Sequence, residues 1–441
     1  MIRKLSILLL ILLNLVVSCK KDNTTPSTEV TPAMARDTLY YVMKQFYYWY
    51  DKMPSVTKEN YKDPYEILEA MRYKALDRWS FVADYDEFNA EMQGTFVGHG
   101  FRIGLDDNYV ARIAMIYSQS PLYKEGVRRG WIVKKINGTD IAPVLIAGDA
   151  TTYNNLIGPS TENVTNTFLF QRPDGTDVTI TSTKKSFTIN TVLLYDTLHL
   201  KSGITGHLVF ESFILPSDDE LKVAFSYFKA NNIKDLILDI RYNSGGYLSI
   251  AQNLASYIGG NGLAGMTFAK LSYNAKNQDA NTTFPFKSTS YSIGLSRMVV
   301  ITTRSTASAS EAVMNGLRNH ITVVSVGDTT NGKPTGMNGW SCGKKYWFWP
   351  VTFKMVNSSD QGDYFDGFAP DKVASDDIAH DFNDRKEACM KQAINYLETG
   401  TFTGVKGAAA SEGFYRHVQI DEKPSWMSNT FGPEKKEAVN K

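Results

Sequence analysis

Residues 297–303 (R-M-V-V-I-T-T) and 321–326 (I-T-V-V-S-V) are two short apolar runs, and the stretch between them, 309–319, has helical spacing. Two buried strands this close together, with one helix between them, admit essentially one arrangement: a right-handed crossover linking parallel neighbours. That unit commits the chain to an α/β sheet. It also puts the residue that opens the helix at the carboxyl edge of the strands, where such sheets build their sites. The residue is Ser308, within Ser305-Thr306-Ala307-Ser308-Ala309-Ser310-Glu311. Other segments extend the pattern. The apolar run 234–240 leads into Arg241-Tyr242-Asn243-Ser244-Gly245-Gly246. Leu221, Phe225 and Phe228 share one helical face, as do Leu248, Ala251, Ala255 and Ile258. The α/β core is expected to span residues 186–400.

Lys333 follows Ser308 by 25 positions, on the loop that leaves the second strand at the same edge. Serine at a helix start and lysine on the next loop are the parts of a Ser/Lys nucleophilic dyad. A free lysine, with a pKa of about 10.4, is almost wholly charged at pH 7. To act as a base it must be desolvated at a cost of roughly 4 to 5 kcal/mol. Ser308-x-x-Glu311 is equally a helix capping box, so two readings stand side by side. Acyl transfer also needs amides aimed at the developing oxyanion. Ala309, at the helix N-terminus, offers one, and Gly245 or Gly246 offers a second if the glycine pair is more than a tight turn. His320 lies twelve residues along the serine helix, about 18 Å from Ser308, too far to serve as base. His207, at the start of another strand, is not excluded on sequence grounds. No H-E-x-x-H or Cys-x-x-Cys spacing appears, so neither a catalytic metal nor another cofactor is implied.

Three motifs, D-I-R-Y-N-S-G-G at 239–246, S-T-A-S-A-S-E at 305–311 and G-D-T-T-N-G-K-P at 327–334, together resemble the C-terminal-processing, or tail-specific, serine peptidases, in a lipoprotein form of the Bacteroidetes type. The resemblance covers most of residues 35–400. It implies a ClpP/crotonase-like α/β catalytic core with Ser308 as nucleophile, Lys333 as base, and an oxyanion hole from Ala309 and Gly245 or Gly246. Two positions depart from the family pattern. Met337 stands where many members place a glutamine that orients the lysine, and Asn319 where some place an acidic residue. These departures leave open a second reading, a peptide- or ligand-binding lipoprotein of the same fold without turnover.

Ahead of the core, residues 96–185 change to short strands and turns, with a hairpin signal at Asn137-Gly138. This region looks like a PDZ domain, which would bind protein C-termini as an added strand, with Gly98, His99, Gly100 and Phe101 as the carboxylate loop. Residues 143–166 read as a long Thr/Asn-rich insertion, and 35–95 as an aromatic-rich helical domain broken near Pro54. Trp347, Phe348 and Trp349 suit either core packing or an apolar subsite. Basic Arg3 and Lys4, the apolar run 5–17 and Cys19 read as a lipoprotein signal, with lipidation of Cys19 and a polar tether over 20–34. An envelope location in a Gram-negative cell and a membrane anchor follow as expectations. Basic residues number 47 against 46 acidic, which offers no electrostatic case for nucleic acid and favours protein or peptide partners. Cys342 and Cys389 are left to pair or stay free. The tail, 401–441, reads as polar and poorly ordered.

Overall fold

The computed structural model describes residues 29–403 and the backbone of 420–421, so the signal, Cys19 and most of the tether lie outside the described residues. Its central sheet runs in the order Val192–Leu200, Gly203–Phe210, Asp235–Asp239, Arg297–Thr302, Thr322–Gly327, Lys372–Val373. The first pair is antiparallel and every later neighbour is parallel. Alternate side chains along the strands part to two faces. Leu236, Leu238, Met298 and Val300 pack beneath helices Ser217–Ala230, Leu248–Gly259 and Ala309–Leu317. Ile237, Val299 and Ile301 pack beneath helix Ala388–Thr399. Coverage on both faces is why these strands read as unbroken apolar runs. The α/β class expected from that alternation is the one the chain forms.

The β-rich region folds around its own core, with strands in the order Ile420–Asp421, Phe101–Leu105, Ala111–Ile116, Ile132–Ile136, Thr165–Gln171, Asp177–Thr183. The hairpin expected at Asn137-Gly138 forms with Ile136 opposite Thr139, and both turn residues have positive φ, 50° and 82°. The stretch read as an insertion is instead structural. It folds as helices Ile141–Ile146 and Ala150–Ile157, whose Leu145, Tyr153 and Ile157 complete the core. A two-stranded ribbon, Thr95–Gly98 with Lys185–Thr188, joins this body to the rest. Arg129 adds a buried link, donating to Tyr242 Oη at 2.8 Å and to Asp376 Oδ1 at 3.0 Å.

At the N-terminal side, helices Pro32–Phe46 and Pro64–Met71 are capped by Thr31 and Asp63 and bury Tyr47, Trp49 and Trp79. The region expected to be helical over 35–95 also contains a strand, Phe81–Asp84, paired with Tyr346–Trp349 and followed by helix Tyr85–Met92. The aromatic residues that fill this small core reach across to the core's later strands. Cys342 and Cys389 are free thiols buried in different clusters. Among the described residues no helix is long and apolar enough to cross a membrane. Of the tail, Ile420–Asp421 is not a loose polar segment: it pairs with Phe101–Leu105.

Candidate active site

Ser308 ends the turn after strand Arg297–Thr302 and opens helix Ala309–Leu317 with φ 55° and ψ −113°. A side chain rarely adopts that conformation, which costs on the order of 1–3 kcal/mol and persists only where surrounding bonds impose it. Those bonds are visible. Ala307 N–H and Ser310 Oγ both donate to the backbone oxygen of Asn243, at 3.1 and 3.0 Å. Thr306 Oγ1 donates to Ile240 O at 2.9 Å. The serine turn is thus stitched to the glycine-bearing turn after strand Asp235–Asp239.

Glu311 does more than cap its helix. Its fully buried carboxylate accepts from Ser308 N–H (2.9 Å), Thr330 Oγ1 (2.6 Å), Gly332 N–H (2.7 Å) and Lys333 N–H (2.8 Å). Burial pushes the Glu311 pKa up, against the pull of these donors. One carboxyl group therefore holds the serine turn and the lysine loop together.

Lys333 is 1% exposed. Burial lowers its pKa to about 7, opposed by the negative charges of Asp77 and Glu311. Asp77 is itself buried and held by Tyr47 Oη (2.7 Å), Ser80 Oγ (2.6 Å) and two backbone amides. Met337 Sδ lies 4.0 Å from Lys333 Nζ, so a soft thioether stands where the family pattern has an amide.

The glycine pair divides its work. The N–H of Gly245 donates to Asn243 Oδ1 at 2.9 Å, which removes Gly245 from the expected oxyanion donors. What Gly245 supplies is room: a Cβ there would sit 2.9 Å from Ser308 Cβ and 3.0 Å from Ala309 N. Gly246 forms a parallel bridge with Phe213 through its neighbours, Gly245 O and Tyr247 N, so its own N–H points away from that pairing. Ser308, Ala309, Gly245, Gly246 and Lys333 all line one cavity of about 290 Å³. Its walls are mostly apolar, with Phe81, Phe88, Ile214, Trp349, Phe353 and Met355 among them.

Residues 204–374 match the model of Peptidase family S41, and residues 35–81 match the Peptidase S41 N-terminal domain. The chain belongs to peptidase family S41. It is similar to proteins named CtpA-like serine proteases from Staphylococcus saprophyticus, at 27% identity over 175 residues, and Staphylococcus epidermidis, at 26% over 202. These alignments cover 38% and 44% of this chain and 32% and 35% of those proteins, so the chain spans about a third of the length of the curated relatives it matches. A crystal structure of an S41-type protein from Bacteroides fragilis shares the fold with a TM-score of 0.70 and 22% identity, over 82% of this chain and 97% of the other.

Within this S41 fold the remaining candidates, Trp349 excepted, lie apart from the cavity. His207 is fully buried in strand Gly203–Phe210, its pKa pushed down to about 3 by burial, and does not line the cavity. His320 packs edge-on against Phe286. The aromatic trio splits: Phe348 is core, Trp347 stacks on Tyr85, and Trp349 lines the cavity. In the Gly98–Phe101 loop the structure corrects the expectation for His99. Its ring is buried, with Nε2 2.7 Å from Asn166 Oδ1 and Nδ1 3.0 Å from Ser182 Oγ, so it is neither exposed nor free to read a peptide terminus. Phe101 is likewise buried, and a Cβ on Gly100 would lie 2.3 Å from Ser120 Cβ. All four residues of this loop are buried, so its side chains pack inside the structure. Sequence reading missed Asn243 and the Phe81 and Phe88 wall. The only local signal for Phe81 was an apolar residue at a strand start, and for Asn243 its place one residue before Ser244-Gly245-Gly246.

Proposed function

We propose that this S41 protein is a serine endopeptidase that uses Ser308 as nucleophile and Lys333 as base, and that it takes its substrates by their C-termini. Ser308 Oγ attacks the scissile carbonyl and its proton passes to Lys333 Nζ. The tetrahedral oxyanion is held by the N–H groups of Ala309 and Gly246. Collapse breaks the C–N bond, the leaving amine takes the proton from Lys333, and water then hydrolyses the acyl-enzyme with Lys333 again as base. The observation that carries this reading is a lysine 1% exposed, with its pKa near 7, lining the same cavity as a serine held at φ 55°. Apolar walls favour an apolar substrate side chain beside the cut. The edge of strand Phe101–Leu105, next to the Gly98–Phe101 loop, is the surface for an added peptide strand. Anchoring through a lipidated Cys19 would place the enzyme in the envelope of a Gram-negative cell.

The test is proteolysis of an unfolded protein with an apolar C-terminus. Ser308→Ala and Lys333→Ala should each lower kcat by about a thousandfold or more. In wild type, kcat/KM should rise with pH through a midpoint near 7, because only neutral Lys333 accepts a proton. Unchanged cleavage by either variant overturns the dyad. No cleavage by wild type favours the non-catalytic binding protein.

A further inference from the structure

Strand Phe101–Leu105 would be the outer strand of its sheet but for one partner, Ile420–Asp421 of the chain's own tail. The pairing is antiparallel, with Ile420 opposite Ile103 and Asp421 opposite Arg102. As the tail advances, its partner residue steps back towards Phe101, so the tail heads for the Gly98–Phe101 loop. A substrate terminus must run the same way if its carboxylate is to arrive at that loop's amides. The tail and a substrate thus compete for the same backbone groups on one sheet edge.

We propose that the C-terminal segment around Ile420–Asp421 is an intramolecular occupant of the substrate-terminus groove, a pseudo-substrate strand that must leave before a peptide can dock. The proposal deepens the C-terminus-binding reading above and rests on it. Strand addition draws its affinity from main-chain hydrogen bonds, which any sequence can make, so the chain's own segment fits without matching a substrate. Among the described residues the plug is the pair Ile420–Asp421. Being part of the same chain, the plug competes at a local concentration that does not depend on how much enzyme is present. The sequence runs on to Lys441, so the segment adds as an internal strand and no terminal carboxylate of its own is required.

Three forms, each also carrying Ser308→Ala so that the probe survives, decide the matter: full length, truncated after Thr403, and full length with Ile420→Pro and Asp421→Pro. The probe is a fluorescent decapeptide with an apolar, free C-terminus. The truncated and proline forms should both bind it at least fivefold more tightly than full length, at every protein concentration. A synthetic peptide covering residues 414–427 should compete with the probe on the truncated form. Equal affinity in all three forms overturns the plug and leaves the groove reading standing. Failure of every form, the truncated one included, to bind the probe removes the groove reading and the plug with it. A dimer that becomes monomeric on truncation would mean that a second copy's tail fills the edge, and would overturn the intramolecular assignment.

Discussion

Lys333 carries the main energetic cost of the site. Moving an ammonium from water to a place where it is 1% exposed lowers its pKa from 10.5 to about 7. In free-energy terms the charged form is disfavoured on the order of 4 to 5 kcal/mol. The cost falls on the folded state in a definite pH window. Well below pH 7 both folded and unfolded chains hold the proton, and the penalty is present in full. Between about 7 and about 10.5 the unfolded chain binds more protons than the folded one, so stability rises with pH. Lys333→Met keeps the apolar volume and removes the charge. It should abolish cleavage while raising the unfolding free energy at pH 6 by about 2 to 4 kcal/mol, with a gain that shrinks towards pH 10. Denaturant titrations at the two pH values check this, and an equal or lower stability at pH 6 would contradict the desolvation account.

At the scale of elements, the site is a junction of two turns and a loop, and Glu311 is the tie between two of them. Four donors converge on its carboxylate, three of them backbone N–H groups of Ser308, Gly332 and Lys333. Glu311→Gln keeps the size but offers one acceptor oxygen and an NH₂ that faces donors. At least one buried N–H then loses its partner, at about 1–3 kcal/mol. Because the loss falls on the relative placement of the serine turn and the lysine loop, kcat should drop at least about tenfold with KM little changed. Steady-state kinetics separate this from a merely structural role, which would lower the folded fraction and leave the kcat of folded enzyme intact. Gly245 plays the complementary part, since its lack of a Cβ lets the glycine turn approach Ser308.

Across the whole molecule, a buried ionic knot fastens the β-rich body to the sheet that bears the site. Arg241 is fully buried and paired with Asp239, Asp376 and Glu387, and Arg129 from the β-rich body shares Asp376. Asp376 is buried, yet the Arg129 and Arg241 guanidinium groups and the Tyr242 hydroxyl hold its carboxyl well below the usual carboxylate range. Its folded pKa is depressed, so its contribution to stability is present at neutral pH and fades as pH falls below the ordinary carboxylate value of about 4. Asp376→Asn leaves Arg129 without its carboxylate partner and should destabilise by about 3 to 5 kcal/mol at pH 7. Urea unfolding should show the gap from wild type narrowing below pH 4, and a constant gap would argue against the ionic origin. Since Arg241 opens the segment that ends in Gly246, the same knot braces one rim of the cavity.

Much of the protein was legible along the chain because the signals are local. Apolar runs around a helix specified the parallel crossover, Asn137-Gly138 specified its hairpin, and a serine at the start of a helix was bound to reach the sheet's carboxyl edge. The demand that Lys333 be dry followed from its chemistry alone. What tertiary structure decided is every relation between distant segments: Gly246 rather than Gly245 with an N–H to spare, Asn243 as the bridge between turns, Glu311 reaching the lysine loop, Phe81 and Phe88 walling the cavity, and Ile420–Asp421 on the edge of a sheet formed three hundred residues earlier. Periodicity reports which face of an element is buried. It is silent on which distant donor meets which acceptor, because that pairing is fixed only when the packed elements bring buried polar groups together and each must find a partner.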